Sequence, residues 1–305
     1  MKAAIVTRSG PPDVLVIEEV PQPKPGAHEV LVRVAAAGVG PWDALIREGK
    51  SEVTPPPPLT PGSDLSGIIE AVGSGVTDWK VGDEVYGVTN PQFCGAYAEF
   101  AVASASMIAR KPEKLTHVEA ASVPVVAVTA WQMLFDYAQL QPGQTALVLG
   151  GAGSVGAYAV QIAAESKIRV IATAGANDLE FVRSLGAEKA IDRRTVDYSS
   201  LTADAVLDLV GGETRERAAK AVKPGSIVVS ATAMNPVTSR SDVRSVFFYV
   251  EVTTARLDTI SDLFERGKLK TQVGTVLPLD EARRAHEMLA GAPHARGKIV
   301  LRVGS

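Results

Sequence analysis

The sequence predicts an α/β protein of two compact units, one a doubly wound parallel sheet and the other a smaller barrel-like β module. Three observations predict it. The chain has 305 residues, which is more than a single domain usually contains. Short β-type runs punctuated by Pro and Gly fill residues 1 to about 120, whereas strands and helices alternate from about residue 121. The first pattern is typical of an all-β module, and the second indicates right-handed βαβ units with a parallel sheet.

The β module is expected to contain six short strands. They are Ala3–Val6, Val14–Ile17, Val30–Val34, Gly67–Val72, Glu84–Tyr86 and Ala98–Val102. A run of four prolines at residues 55–58 predicts an extended connector.

The second region is expected to alternate strands with helices. The strands are 146–149, 168–173, 190–191, 205–210, 227–230 and 246–250, and the helices are one that ends at Glu165 and two over 179–185 and 214–222. The tail from Lys268 predicts a helix starting near Asp280 and a strand over 298–303.

One segment, Gln144–Glu165, indicates the chemistry. A continuous apolar strand is followed by glycines with the spacing GxGxxG, at Gly151, Gly153 and Gly156, and then by an amphipathic helix. The first glycine permits a tight turn, the second leaves room for phosphates, and the third lets the helix pack closely on its strand. Such a turn places a dinucleotide pyrophosphate against backbone N–H groups at the helix N-terminus. The segment therefore predicts redox chemistry with a nicotinamide cofactor, and a glycine-rich turn without a ligand is the alternative.

Composition excludes several classes of function. The net charge is -3, from 31 basic and 34 acidic residues without runs, so neither nucleic acid nor an anionic membrane is expected as a partner. The single cysteine, Cys94, excludes an intrachain disulfide framework and suits a reducing cytosol. No apolar segment reaches the ~20 residues of a membrane helix. We expect a cytoplasmic protein.

Four motifs spread over the chain carry a family resemblance. They are PGSDLSGIIEAVGSGVTDWKVGDEVYG at Pro61–Gly87, GGAGSVGAYAVQIA in the glycine turn, DLVGGET at Asp208–Thr214, and PLDEARRAHEML with RGKIVL within Pro278–Leu301. With these motifs the chain resembles the zinc-independent quinone oxidoreductase branch of the medium-chain dehydrogenase/reductase superfamily. The resemblance implies a GroES-like catalytic domain at 1–124, completed by 268–305, and a Rossmann domain at 125–267. It also implies a homodimer.

Ligand chemistry argues against zinc. Zinc-dependent relatives place a cysteine soon after a Gly-Val pair and a Gly-His-Glu further on, where this chain has Gly40 and then Ser63 and Asp64. Glycine cannot bind a metal, and a serine hydroxyl is a poor zinc ligand. The four histidines, at 28, 117, 286 and 294, have no metal-like spacing. No metal is expected.

The second strand of the sheet favours NADPH over NADH. An NAD site usually offers an acid at the end of this strand, but here Thr173 and Ala174 stand there and no acid follows until Asp178. Asn177 occupies a position where many relatives have a basic residue. Arg193 or Arg194 could supply the charge for a 2′-phosphate, and a solvated surface pair is the alternative.

The resemblance implies further cofactor contacts. They are Ser154 and Val155 in the glycine turn, Thr129 near the nicotinamide, Val210 and Gly211 after the fourth strand, Ser230, Ala231 and Thr232 at the fifth, and Gly297 and Lys298 at the phosphates. Lys298 could instead simply begin a strand.

A metal-free enzyme must position the nicotinamide against its acceptor and polarise the acceptor carbonyl with fixed donors. The expected acceptors are small hydrophobic quinones, enones or enals. Asp43, Arg47 and Tyr249 are the catalytic candidates, although Asp43 could instead cap a short helix. The candidates for substrate binding are Trp42, Phe247 and Phe248. Trp42 could instead be a core residue, and the run of Phe247, Phe248 and Tyr249 could instead be buried or form a subunit contact.

Two other functions stay open. An enoyl-thioester or polyketide-tailoring reductase would need a basic entry for a carrier arm, and the sequence shows no such patch. A non-catalytic NADPH-binding redox sensor is consistent with the absence of the polar side chains that relatives carry near residue 40.

Overall fold

The computed structural model describes residues 1–232 and 238–303 of the chain. The described strands are, in chain order, β1 (Lys2–Val6), β2 (Leu15–Glu19), β3 (Glu29–Val39), β4 (Asp64–Val72), β5 (Glu84–Val88), β6 (Phe100–Ser104), β7 (Ile108–Arg110), β8 (Thr145–Leu149), β9 (Arg169–Ala174), β10 (Lys189–Asp192), β11 (Ala203–Asp208), β12 (Val222–Ser230), β13 (Arg244–Phe247), β14 (Val273–Pro278) and β15 (Lys298–Arg302). The described α-helices are α1 (Pro41–Arg47), α2 (His117–Ala120), α3 (Pro124–Trp131), α4 (Ser154–Glu165), α5 (Leu179–Ser184), α6 (Gly212–Ala218), α7 (Thr254–Glu265) and α8 (Ala282–Leu289).

The chain divides into two compact units. The first contains residues 1–125 and the C-terminal segment from residue 252, and the second contains residues 126–251. Sequence reasoning places residues 252–267 in the second unit, but the structure places them in the first because α7 packs on β7. The backbone N–H of Thr254 donates to the carbonyl of Ser106 at 2.9 Å, and the hydroxyl of Tyr86 donates to the carbonyl of Leu257 at 2.8 Å.

The first unit is a β module centred on the long strand β3. The strand order of its sheet is β14-β15-β3-β4-β5-β7, with β6 also paired to β3. Val30, Val32 and Val34 alternate along β3 and are almost fully buried, as expected of β-branched residues on the core face of a strand. Strand β15, from the C-terminal segment, pairs with residues 36–39 of β3. The C-terminal segment therefore completes the N-terminal module, as the sequence predicts.

The second unit is a doubly wound parallel sheet. Its strand order is β10-β9-β8-β11-β12-β13, and each neighbouring pair is parallel. Counted from β8, this is the order 3-2-1-4-5-6 of the dinucleotide-binding Rossmann fold. The strand order reverses between β8 and β11, and ligands bind at the carboxyl ends of strands at such a point. The structure confirms the predicted fold class.

The last strand of this sheet is shorter than the sequence predicts at its C-terminal end. Strand β13 ends at Phe247, where it pairs with Ser230, the last residue of β12. Phe248 and Tyr249 therefore follow the strand instead of lying within it. The pairing thus ends at the residue where β12 itself ends.

Within 1–232 and 238–303, no helix combines the length and the apolar character needed to cross a bilayer.

Candidate functional site

The glycine turn joins β8 to α4. All five residues of β8 are buried, and the N–H of Gly151 donates to the carbonyl of Thr173 on β9 at 2.8 Å. Helix α4 begins at Ser154, with Gly153 as its N-cap. The first N–H groups of a helix have no partner within the helix, so those of Ser154, Val155 and Gly156 are available to an anion at this end.

The three motif glycines meet different surroundings. A Cβ atom on Gly156 would lie 2.2 Å from the carbonyl oxygen of Gly150, and one on Gly151 would lie 2.9 Å from the Cβ of Ala172. At Gly153 the nearest atom would be the Gly150 oxygen at 3.3 Å. Gly151 and Gly156 therefore allow close packing, and Gly153 leaves open space beside the helix N-terminus. This geometry fits a dinucleotide pyrophosphate.

Gly150 is a further residue of this turn that the sequence motif does not include. Its φ is +79°, in the left-handed region where residues other than glycine are strained. The signal was present in the sequence as a second glycine directly before the motif.

The residues on which the predicted preference for NADPH over NADH rests lie at or near the carboxyl end of β9. Thr173 and Ala174 are buried, and Asn177 is exposed in a 3-10 turn over Ala176–Asp178. The backbone N–H of Arg193 donates to the carbonyl of Ala174 at 2.9 Å. The exposed residue Arg193 therefore lies directly beside the end of β9, as does the residue before it, Asp192, which pairs with Ala174.

Asp208, at the end of β11, connects two predicted cofactor loops. Its Oδ1 accepts from the N–H groups of Gly211 at 2.7 Å and Val210 at 3.1 Å. Its Oδ2 accepts from the hydroxyl of Ser230 at 2.8 Å and, more weakly, from that of Thr232 at 3.4 Å. The side chain is fully buried.

Sequence reasoning named the residues that Asp208 holds but missed Asp208 itself. The available signal was an acidic residue ending an apolar strand just before a Gly-Gly pair. The backbone N–H of Ala231 donates to the Asp208 carbonyl at 3.0 Å, so this predicted residue belongs to the same network.

The other predicted residues of the second unit differ in exposure. Thr129 is buried in α3. Phe248 is also buried and stacks on Tyr137 with ring centroids 4.4 Å apart, which agrees with the core alternative. Phe247 and Tyr249 pack edge to face at 5.2 Å. Tyr249 is about half exposed, at 53%, and is more accessible than the buried Phe248.

In the first unit, Asp43 is fully buried near the start of α1. Its Oδ2 accepts from the N–H of Gly40 at 2.8 Å and from the hydroxyl of Tyr97 at 2.9 Å. Burial raises the pKa of Asp43 to about 7, and the hydrogen bond from Gly40 and the charge of Lys298 oppose this rise. The structure thus shows the capping contact that the sequence offered as the alternative to a catalytic role.

Arg47 is the last residue of α1 and is 2% exposed, so its side chain lies in the interior of the first unit. Its guanidinium donates to the carbonyl of Gly10 at 2.9 Å and to Glu48 at 2.6 Å, and it lies 2.9 Å from Nδ1 of His286. Burial, together with the charge of Arg47, lowers the pKa of His286 to about 3. His286 is therefore neutral near pH 7, as a packing residue in α8.

Lys298 begins β15, and its side chain is only 3% exposed. Its Nζ lies 3.0 Å from Oδ2 of Asp64 and 4.0 Å from the centroid of the Trp42 ring. The indole N–H of Trp42 donates to the hydroxyl of Ser63 at 3.0 Å. Gly297 has a φ of +116°. The ammonium that sequence reasoning assigned to phosphates is thus paired with a buried carboxylate.

Within 1–232 and 238–303, no group of three or more His, Cys, Asp or Glu side chains could hold a metal ion. At the positions where zinc-dependent relatives carry ligands, this chain has Gly40 and Ser63, which lie against the Trp42 indole, and Asp64, which pairs with the Lys298 ammonium.

Comparisons with known proteins agree with this architecture. A family model described as an alcohol dehydrogenase GroES-like domain matches residues 26–113, and one described as a zinc-binding dehydrogenase matches residues 185–301.

Similar proteins match almost the whole chain. Among them are a quinone oxidoreductase of Sus scrofa, 30% identical over 99% of this chain and 97% of its own length, and an NADPH-dependent alkenal/one oxidoreductase, chloroplastic, of Arabidopsis thaliana, 34% identical over 99% of this chain and 79% of its own. The solved quinone oxidoreductase of Coxiella burnetii is 32% identical, with a TM-score of 0.92, over 100% of this chain and 99% of that one.

Proposed function

Because the chain belongs to the quinone oxidoreductase-like branch of the medium-chain dehydrogenase/reductase superfamily, we propose that it uses NADPH to reduce a quinone or an α,β-unsaturated carbonyl without zinc. One observation carries the proposal. The turn from β8 to α4 presents the first N–H groups of a helix beside Gly153, which has no side chain of its own to block the approach of a pyrophosphate.

The preference for NADPH rests on the end of β9. A carboxylate at this point would accept bonds from the adenosine ribose and repel a 2′-phosphate, but β9 ends in Thr173 and Ala174. The guanidinium of Arg193 is attached to a backbone that is hydrogen-bonded to Ala174. Arginine binds phosphate through a fork of N–H donors. One similar protein, from Arabidopsis thaliana, is itself named NADPH-dependent.

The proposal of metal-free chemistry rests on the surroundings of Trp42. A Cβ atom on Gly40 would lie 2.3–2.5 Å from three atoms of the Trp42 ring. A cysteine at this position would therefore collide with the indole as it stands. The Lys298 ammonium, next to the same ring, would also repel a divalent cation.

When bound, NADPH would supply a hydride for the electron-poor carbon of the acceptor. The residues of the chain must then hold the acceptor and provide a proton. In the first unit, the half-buried Trp42 is suited to contact a flat conjugated ring. In the second unit, the hydroxyl of the half-exposed Tyr249 is our candidate for the proton donor. Asp43 and Arg47 are bonded inside the first unit and would act by fixing α1, which carries Trp42.

We also propose that the protein is a homodimer. Strand β13 is an edge of the six-stranded sheet, and its unpaired backbone groups are suited to pairing with a second copy. Light scattering that gives the mass of one chain would contradict this.

Consumption of NADPH tests the proposed function. We expect the purified protein to oxidise NADPH in the presence of 1,4-naphthoquinone or an enone, to do so more slowly with NADH, and to contain no stoichiometric zinc. Tight binding of NADPH with no acceptor reduced would favour the redox sensor. Reduction of enoyl thioesters only would favour the tailoring reductase, and one zinc per chain would refute the metal-free mechanism.

A further inference from the structure

A buried ion pair lies at the start of β15. Lys298 is 3% exposed and Asp64 is fully buried, with 3.0 Å between Nζ and Oδ2. The other carboxylate oxygen, Oδ1, accepts from the N–H of Val125 at 3.0 Å, so Asp64 is held by the backbone and in turn holds Lys298. The free-energy cost of removing both charges from water offsets most of their attraction. A buried pair of this kind therefore contributes little net stability.

The ammonium of this pair lies against an aromatic face. Nζ of Lys298 is 4.0 Å from the centroid of the Trp42 ring, within the range of a cation–π interaction. The edge of the same ring is fixed separately, because its N–H donates to Ser63 Oγ at 3.0 Å. Two perpendicular contacts, one on the face and one at the edge, therefore determine the plane of the indole.

Gly40 makes this position of the indole possible. Three ring atoms of Trp42 would be within 2.3–2.5 Å of any Cβ atom at residue 40, which is far closer than carbon atoms can approach. The glycine, the indole and the ammonium thus form one packed arrangement in the part of the module where zinc-dependent relatives carry metal ligands.

We propose that Lys298 is a positioning residue for acceptor binding. Its ammonium holds the Trp42 indole in place by contact with one face of the ring. This inference rests on the proposed function, in which Trp42 contacts the acceptor. One face of the ring is covered by the ammonium and Trp42 is half-buried, and we infer that the exposed part of the indole meets the acceptor. A rigid ring loses little conformational entropy when a ligand stacks on it.

The proposal distinguishes between acceptor classes. A fused aromatic quinone stacks on the indole over a large area, whereas a linear enal contacts little of it. Loss of the ammonium should therefore weaken the binding of naphthoquinone more than that of a linear enal. It should leave the affinity for NADPH unchanged, because Nζ binds Asp64 and not a phosphate.

The decisive variant is the double substitution Lys298→Met with Asp64→Asn. Methionine alone would leave Asp64 buried without its partner, whereas asparagine removes that charge and still accepts from Val125. Lys298→Arg keeps a cation against the ring and serves as the conservative rescue. Lys111→Met is the matched control, since Lys111 is also a buried lysine of the first unit, with an 8% exposed side chain paired to Glu84 at 3.3 Å.

We expect the double variant to raise KM for 1,4-naphthoquinone about tenfold and KM for a linear enal about twofold, with the Kd for NADPH unchanged. A tenfold change is within the range of a partly desolvated cation–π contact. Lys298→Arg should restore most of the naphthoquinone KM, and Lys111→Met should change neither KM. Equal effects on both acceptors, or weaker NADPH binding with an unchanged KM for quinone, would overturn the proposal.

A fluorescence measurement tests the positioning role without turnover. Iodide quenching is measured for each variant and for the same variant with Trp42→Phe, and the difference isolates Trp42 from Trp79 and Trp131. We expect Trp42 to become more accessible to iodide in the double variant and not in Lys111→Met. Unchanged quenching would refute the positioning role. An inactive wild type would refute the proposed function alone.

Discussion

Alanine variants of Gly153 and Gly156 should separate coenzyme binding from folding. A Cβ atom on Gly156 would lie 2.2 Å from the carbonyl oxygen of Gly150 and 2.9 Å from the Cα of Gly151. Atoms in contact need roughly 3.3 Å or more, so α4 would have to move by about 1 Å. Such overpacking costs ~1–3 kcal/mol, and the helix propensity of alanine offsets at most ~1 kcal/mol of it. We expect a net loss of about 1–2 kcal/mol, or a Tm lower by roughly 2–8 °C.

Gly153→Ala should have the opposite profile. Gly153 has a φ of -75°, which any residue adopts, and the nearest atom to its Cβ would be 3.3 Å away. The fold should therefore lose at most about 0.5 kcal/mol, through the poorer N-cap. The added methyl group, however, would occupy the space where a pyrophosphate approaches the helix N-terminus. We expect NADPH to bind at least about tenfold more weakly, which corresponds to ~1.4 kcal/mol.

Thermal unfolding without coenzyme and calorimetric titration with NADPH measure the two effects separately, because a bound ligand would itself raise Tm. The reasoning would be refuted by a Gly156→Ala variant as stable as the wild type. It would also be refuted by a Gly153→Ala variant that binds NADPH normally.

Three further predictions concern single side chains. Arg193→Gln should weaken NADPH binding about tenfold without affecting NADH, whereas Arg194→Gln should change neither; equal affinities in both variants would contradict the 2′-phosphate role. Because burial raises the pKa of Asp43 from 3.8 to about 7, the folded state binds this proton more tightly, and its stabilising contribution is complete below about pH 4 and lost as the pH rises to about 7. As the pH rises from about 4 to about 7, the free energy of unfolding should therefore fall less for Asp43→Asn than for the wild type, by up to ~1.4 kcal/mol per pH unit. Urea unfolding measured across this range would exclude the effect if the two proteins showed the same pH dependence. Asp208→Ala should release the loops at Val210 and Ser230 and weaken NADPH binding several-fold, which titration would reveal; Asp204→Ala, at an acid away from these loops, is the control.

The second unit was predictable because its signals are local. Five buried residues in β8, three spaced glycines and the amphipathic α4 follow one another directly in the chain. Such a run determines its own strand, turn and helix without distant partners. Strand β13 was less predictable, since its end depends on where its neighbour β12 ends and not on its own composition.

The contacts within the first unit were not predictable, because they join distant parts of the sequence. Lys298 meets Asp64 across 234 positions of the chain, and Arg47 meets His286 across 239. Neither pair leaves a periodic pattern. The sequence indicated that Asp43, Arg47 and Lys298 are unusual polar residues, but only packing shows that their charges point at buried partners and not at solvent.

Strand β15 is made late in synthesis, although it pairs with β3 near the N-terminus. The ribosome completes residues 126–251 before it makes β15, so the nascent N-terminal module must wait with residues 36–39 of β3 unpaired on that side. This open edge, Ala-Ala-Gly-Val, is apolar and unprotected by charge. A stalled or truncated translation product would therefore expose this edge to aggregation through strand addition.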